Sequence, residues 1–389
     1  CSSDLKRSRT ISFEPMAMRK KTVLFVTGTR AEWGLLASTI ADLKKSSKLD
    51  LKVLVTGMHT QKRYGKTIRE VKKAVKVDHI VPVKNNDDQL TALSKEINGI
   101  NTYLLKHHID AVMVLGDRDE PFAAATVALH MGIPVIHISG GDVSGPTVDH
   151  YLRNSITLFS DLHLVQTKES KKNVLKLGAD PKAVHIVGSA GLNNLQAIDL
   201  PSRAQLAKKY HLDSDKKWYL ASLHPTILEK TPIAKQIQSL LTALNKLDKW
   251  DEKIVLYPNA DEGSAAFITA IKTLKKSSRF HIRKHITRDD YLALMRESKV
   301  LIGNTSSGLV EAGYLKVPFV NVGNRQLDRE CGSNVLHAQY KATDITKCII
   351  KAQTTAFAKM LSKKKSVYIG GEVSKNIVKH IEQFLKNVS

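Results

Sequence analysis

The residue types best suited to chemistry in this chain lie between an apolar stretch at 299–302 and Glu311, where Gly303, Thr305, Ser306, Ser307 and Gly308 follow one another closely. The pattern predicts a strand, a small polar turn, and a helix starting near Ser307. Hydroxyls and unpaired backbone N–H groups at a helix N-terminus suit an anion, phosphate above all. Glu311, one turn on, is placed to accept hydrogen bonds from sugar hydroxyls. The plainer reading of the same letters is an ordinary N-cap built from small residues.

Similar constellations recur. Arg30 lies in GTRAEWG at 28–34, which is not the GxGxxG of a dinucleotide site; Arg30 can point above the sheet, while Trp33 packs in or near the wall. Asp117 and Arg118 open a run of four charges ending at Glu120. Asp117 can act as a base, position a sugar hydroxyl, or cap a helix beginning near Pro121. After His137, read as a buried strand residue, Gly140 and Gly141 allow close approach of backbone to ligand, and Asp142 and Asp149 supply carboxylates. Arg153 is spaced to pair with Asp149 on one helix face. His224, followed by Pro225, suits acid/base work or phosphate binding. Asn259 and Asp261 either hold a sugar or form a turn. Arg325, in GNRQ at 323–326, can face the polar turn and bind phosphate through two parallel hydrogen bonds.

Short β-branched runs alternate with amphipathic stretches, the pattern of parallel sheets with crossover helices. Strands are predicted at 22–27, 51–56, 79–83, 111–115, 135–138, 162–165 and 184–187. After a linker at 199–203 a second series follows at 219–223, 254–257, 280–283, 300–302 and 319–322. Helices are predicted between them, at 31–45, 89–107, 121–131, 232–247, 264–276 and 289–297, with a last one at 373–387. The fold class is therefore α/β with two Rossmann-like halves, 21–200 and 201–369, followed by a C-terminal segment, 370–389. Open parallel sheets bind ligands beyond the carboxyl ends of their strands, which is where the residues above fall.

Composition narrows the partners. The 389 residues suffice for two cores. A net charge of +23 invites a nucleic-acid reading, but the lysines are scattered in pairs such as Lys44 and Lys45, and aromatic residues make up only 6%. That leaves no base-stacking platform, so the charge reads as a solvated surface that attracts a small polyanion, with no nucleic-acid or membrane partner. No apolar run reaches the roughly 18 residues of a membrane span. Residues 1–20 read as a disordered basic arm or a cloning remnant, with Met16 and Met18 as candidate natural starts and no signal-peptide core. Three isolated cysteines fit a reducing cytoplasm and argue against a disulfide framework or a Cys-based zinc site.

Taken together, the motifs resemble the UDP-N-acetylglucosamine 2-epimerases, specifically the hydrolysing branch that serves sialic and related nonulosonic acid synthesis. The markers are GTRAEWG at 28–34, GDR at 116–118, GGDVSG at 140–145, HP at 224–225, PNAD at 258–261, GNTSSGLVEAG at 303–313 and GNRQLDRE at 323–330. Each is weak alone; their shared order is specific. The resemblance implies a glycosyltransferase-B-like architecture with a central cleft and a C-terminal helix packed back on the first domain. It also implies a homodimer formed through a first-domain helix face. It would place UDP in the second domain, with Ser306 and Ser307 on the diphosphate, Glu311 on the ribose, Arg325 lining the pocket, and the segment from Arg283 to 286 facing uracil. Arg30, Asp117, Arg118 and Asp149 would meet the sugar, with His224 closing from the other side. The implied reaction eliminates UDP across C1–C2 and then adds water, giving a free 2-epimeric sugar of the N-acetylmannosamine type. It needs no metal or redox cofactor.

One departure stands out. The family segment His-Ile-Glu-Gly-Gly reads here as His137, Ile138, Ser139, Gly140, Gly141. A serine hydroxyl is no base near neutral pH, and losing a general acid or base costs on the order of 10²–10⁴-fold in rate. Either Asp142, Asp117 or Asp149 takes the role, or Ser139 is an engineered change, or the chain binds a UDP-sugar without efficient turnover. A glycosyltransferase of the same fold is the other alternative.

Overall fold

The computed structural model describes residues 19–387, apart from 63, 64, 66, 144–146, 194, 196, 197, 259–262, 275–278 and 285. The basic arm expected at 1–20 thus lies almost wholly outside the described residues.

The first half runs β1 (Lys21–Thr27), α1 (Arg30–Lys45), β2 (Leu49–Val55), α2 (Ile68–Ala74), β3 (His79–Ile80), α3 (Gln89–Leu104) and β4 (Ala111–Leu115). It continues with α4 (Asp119–His130), β5 (Val135–Ile138), α5 (Val148–Leu158), β6 (Leu162–Val165), α6 (Lys168–Lys176) and β7 (Val184–Ile186). Its strands form one parallel sheet in the order β3-β2-β1-β4-β5-β6-β7. The second half begins with α7 (Arg203–Tyr210), β8 (Trp218–Ser222), α8 (Ile233–Asn245), β9 (Glu252–Leu256), α9 (Ser264–Thr273), β10 (Phe280–Arg283) and α10 (Arg288–Glu297). Then come β11 (Val300–Gly303), α11 (Glu311–Tyr314), β12 (Phe319–Val322), β13 (Val335–Ala338), α12 (Ala342–Ala352), α13 (Thr355–Lys363) and α14 (Val373–Asn387). Its parallel sheet has the order β10-β9-β8-β11-β12-β13. Both are doubly wound α/β sheets.

The strand sequences explain the layering. In β1, Val23 and Phe25 enter one core and Leu24 and Val26 the other, because successive side chains alternate across a strand. In β8, Tyr219 and Ala221 face one side and Trp218 and Leu220 the opposite one. A sheet covered by helices on both faces needs apolar residues at every position.

Near its end the chain crosses back. Ser189 donates its N–H to the Ile369 carbonyl at 2.9 Å, and the Ser374 N–H donates to Asn193 Oδ1 at 2.8 Å. The Ser374 hydroxyl reaches Asp42 on α1 at 2.6 Å. From this point α14 buries Val373, Ile377, Ile381 and Leu385 in the same core as Leu36, Ile40 and Leu43. Each such side chain contributes roughly 1.5–3 kcal/mol.

Three expectations need correction. The strand predicted at 79–83 stops at Ile80, because Pro82 has no N–H for the ladder. The helix predicted from Ser307 is instead a single 3-10 turn, Ser306–Gly308, followed by the four-residue α11. The chain must turn back almost at once, through Lys316 at φ +58°, to enter β12. Finally β13, α12 and α13 follow the last strand read from the sequence; β13 is a half-buried edge with a weak apolar signal. No helix among the described residues is long and apolar enough to cross a membrane.

Candidate functional site

Strand order reverses between β1 and β4 in the first sheet and between β8 and β11 in the second. A crevice opens at such switch points, beyond the carboxyl ends of the strands. Arg30, Asp117 and Arg118 follow the first pair; His224 and the Asn304–Gly308 turn follow the second.

In the second half the backbone is tightly specified. Gly303 sits at φ +144°, and a Cβ there would lie 1.8 Å from the Ser222 carbonyl oxygen, so only glycine fits. Asn304 then ties the two strand ends together: the His224 N–H donates to its Oδ1 at 2.7 Å, and its Nδ2 donates to the His224 carbonyl at 2.8 Å. His224 is buried against this clamp. The Ser307 hydroxyl bonds Tyr291 Oη at 2.5 Å and Thr305 Oγ1 at 3.0 Å. Because α11 is so short, little helix dipole backs this turn. What it offers an anion is local: leading N–H groups with no partner inside the turn and the hydroxyls of Thr305, Ser306 and Ser307. Glu311 is buried, and Arg288 approaches its Oε1 at 3.5 Å. The same guanidinium donates to the Gly191 carbonyl of the crossover at 2.5 Å. Arg288, passed over in the sequence, therefore links Glu311 to the first half.

In the first half Asp117 does not cap a helix: α4 begins at Asp119 with Arg118 at its cap. Its carboxylate pairs instead with Arg153, which also donates to the Asp142 carbonyl at 2.7 Å. Burial, then the like charges of Arg329 and Arg325, presses the Arg153 guanidinium down to about 9, which leaves it cationic at neutral pH. Asp149 faces Arg325 of the second half at 3.9 Å, and Arg325 Nη1 reaches the Asn304 carbonyl at 3.4 Å. Arg325 thus stands between the polar turn and the first-half carboxylate Asp149.

Asp142 was a candidate acid or base, but both of its oxygens are engaged. Ser170 donates to Oδ1 at 2.7 Å, while Gln166 at 2.8 Å and Arg329 share Oδ2. It is an anchor between the halves. Ser139 follows β5 at φ +64°, its N–H donating to the Leu164 carbonyl at 2.9 Å. His137 is fully buried, as expected, between the Gly116 carbonyl and Thr157, and burial pushes its imidazole down to about 4.

Behind Arg30 and Arg118 lies a set of acids that the sequence reading passes over. Glu120 fills the space that Cβ atoms would take at Gly28 and Gly57, and its Oε2 is 3.5 Å from Arg118 Nε. Glu32 accepts from the Gly28 N–H at 2.9 Å and the Thr27 hydroxyl at 3.2 Å. Glu96 accepts from Thr56 at 3.2 Å. Burial, reinforced by Glu120, raises Glu32 to about 8 and Glu96 to about 9. Arg30 is held by Glu70 at 2.9 Å in a partly exposed pair. Trp33 belongs to the core, stacked near Phe25.

Arg283 ends β10 and donates to the Tyr210 carbonyl at 2.7 Å. Asn259 and Asp261 lie outside the described residues.

Comparison with known proteins gives a consistent result. Residues 41–382 match the family model of UDP-N-acetylglucosamine 2-epimerase. The chain is 34% identical over 372 residues to polysialic acid biosynthesis protein P7 of Escherichia coli, spanning 94% of this chain and 95% of that one. It is also 34% identical over 321 residues to a hydrolysing UDP-N,N'-diacetylbacillosamine 2-epimerase of Legionella pneumophila, spanning 81% and 84%. Among solved structures, the UDP-GlcNAc 2-epimerase of Neisseria meningitidis bound to UDP-GlcNAc aligns with a TM-score of 0.81 at 20% identity, covering 94% of this chain and 100% of that one. At that identity the likeness speaks for the fold, two Rossmann-like domains in a glycosyltransferase-B-like arrangement.

Proposed function

The chain belongs to the UDP-N-acetylglucosamine 2-epimerase family, and from that premise we propose that it is a hydrolysing 2-epimerase. Its substrate is UDP-N-acetylglucosamine or a 4-amino-modified relative, and its products are UDP and the free 2-epimeric sugar. The named activity of the Legionella relative supports the hydrolysing branch and the amino-modified sugar. The observation that carries the reading is Arg325, which stands between the Asn304 turn and Asp149 across the crevice.

The diphosphate occupies the turn, held by its amides, by Ser306 and Ser307, and by Arg325, whose fixed charge stabilises the leaving group as C1–O breaks. The ribose meets Glu311. Arg30 and Arg118 hold the sugar, with His224 against it. A carboxylate removes the C2 proton; with Asp142 engaged, Asp117, oriented by Arg153, and Asp149 fill the acid and base roles. Water then adds to the unsaturated sugar at C1, and a proton returns to C2 from the opposite face. No metal or redox cofactor enters this scheme.

Two copies associate through the α3–α5 face, where Leu105, Leu129, Tyr151 and Leu158 are exposed; light scattering reading a monomer mass would remove that element. Release of UDP on incubation with UDP-N-acetylglucosamine and its diamino analogue, without an acceptor, tests the activity. Dependence on an added sugar acceptor would instead identify a glycosyltransferase. Ser139 favours one second reading, a UDP-sugar binding protein of impaired turnover; it predicts UDP binding by calorimetry with no release at any enzyme concentration.

A further inference from the structure

We propose that the first half carries a second, anion-binding site at the pole of its sheet opposite the crevice. A cavity of about 740 Å³ lies there, walled by the amino ends of β6 and β7, the ends of α5 and α6, and the C-terminal part of α14. That volume is within the roughly 300–1,000 Å³ typical of small-molecule sites. The crevice lies beyond the carboxyl ends of the same strands, so an occupant here is not the substrate in its reacting position.

The cavity is chemically specific. His185 of β7 and His380 of α14 stack with ring centroids 4.0 Å apart and planes 18° apart. Burial lowers both imidazoles, and the charged groups that lower them further are all cationic: Lys171 for His185, and His185 with Lys379 for His380. His163, only 2% exposed, also lines the cavity, and its Nδ1 has no hydrogen-bond partner even with the Ser160 backbone close by. Lys182 stands at the rim. Two carboxylates share the wall, each with one oxygen committed to backbone: Asp161 accepts the Val135 N–H and Asp180 the Lys182 N–H, both at 2.9 Å. Leu162, Leu177 and Phe384 supply apolar surface.

Burial holds the three imidazoles toward the neutral form, and the wall carboxylates Asp161 and Asp180 are turned to backbone N–H groups rather than to the rings, so neither balances a proton there. An anion would, so its binding draws a proton onto His185 or His380 and tightens as pH falls. The ligand class is a small organic anion with a phosphate or carboxylate head and a body that covers Phe384. It rests against α14, the helix that Ser374 fastens to Asn193 and Asp42 at the crossover.

The test is histidine C2-proton NMR on the full chain at pH 6.5 with the crevice saturated by UDP. Pyrophosphate is titrated in one arm and citrate in the other, against sodium chloride of equal ionic strength. Saturable shifts of the His185 and His380 signals, with raised titration midpoints, are expected in at least one arm, and the arm identifies the head group. By calorimetry, His185→Gln and the double variant His185→Ala/His380→Ala should bind that probe about tenfold more weakly or worse, with UDP release unchanged. If neither probe moves the signals beyond the chloride control, or if His185→Gln binds as tightly as the parent, the proposal is overturned.

Discussion

Arg329 of the second half and Asp142 of the first form a buried ion pair across the crevice, their side chains only 10% and 3% exposed. Gln166 and Ser170 complete the carboxylate. Tyr368 lies beside the guanidinium and donates to the Glu330 carbonyl at 3.0 Å. The pair fixes the mutual approach of the two halves, and hence the distance at which Arg325 meets Asp149.

Removing one partner of a buried pair strands the other charge, at a cost of about 3–5 kcal/mol. Arg329→Ala should therefore lower the urea midpoint well below that of Arg325→Ala, whose salt bridge is longer and more exposed. Equal midpoints in the two variants would show that Arg329–Asp142 does not hold the halves.

Asp117→Asn should cut kcat by about 10²–10⁴-fold with UDP affinity close to that of the parent. Arg325→Ala should do the reverse for binding and weaken UDP roughly tenfold to hundredfold, as loss of a charged hydrogen bond does. Ser307→Ala should weaken UDP less, since the hydroxyl is also held by Tyr291. Calorimetry with UDP and steady-state kinetics on the same preparations check the division.

Much of this site could be read along the chain, and the remainder depends on the fold. Arg30, Asp117, His224 and Arg325 each follow a buried strand directly, so strand and site signals coincide. The turn at Gly303 is legible for the same reason, but the length of α11 is not. It is set by how soon the chain must re-enter the sheet, which depends on Lys316 and the packing of Gly308 against Phe319. Arg153, Arg329 and Arg288 act on residues far away in sequence. GNRQLDRE contains Arg329, yet nothing in that string points to Asp142, 187 residues earlier. Glu32, Glu96 and Glu120 meet only because β1, β2 and β4 are neighbours.

That acid cluster makes stability depend on pH. Glu32 and Glu96 are raised in the folded chain to about 8 and about 9, against roughly 4.3 when unfolded. Between those values the native state keeps protons that the unfolded state has released, so stability falls as pH rises, by up to about 1.4 kcal/mol per pH unit for each group. It is greatest, for these groups, below the unfolded value and is lost as pH climbs through 8–9. Glu32→Gln should flatten the decline of the urea midpoint between pH 6 and 9. A parent midpoint that is constant over that range would contradict the assignment.

Ser139→Glu restores a carboxyl at the end of β5. Glutamate pays the same left-handed backbone cost at φ +64° that serine already pays, so the variant should fold. Turnover should rise by up to about 10²-fold if that carboxyl is the missing acid or base. An unchanged rate would assign both roles to Asp117 and Asp149.

The central claim is elimination of UDP followed by addition of water, and it is tested most directly by NMR of the reaction mixture in deuterated water. UDP-N-acetylglucosamine and its diamino analogue are the substrates. The account predicts free 2-epimeric sugar and UDP in equal amounts, with deuterium at C2 of the sugar, incorporated about 10²–10⁴-fold more slowly when Asp117→Asn replaces the parent. UDP-sugar epimerised at C2 with UDP still attached, or UDP released with C2 unepimerised and undeuterated, would contradict it.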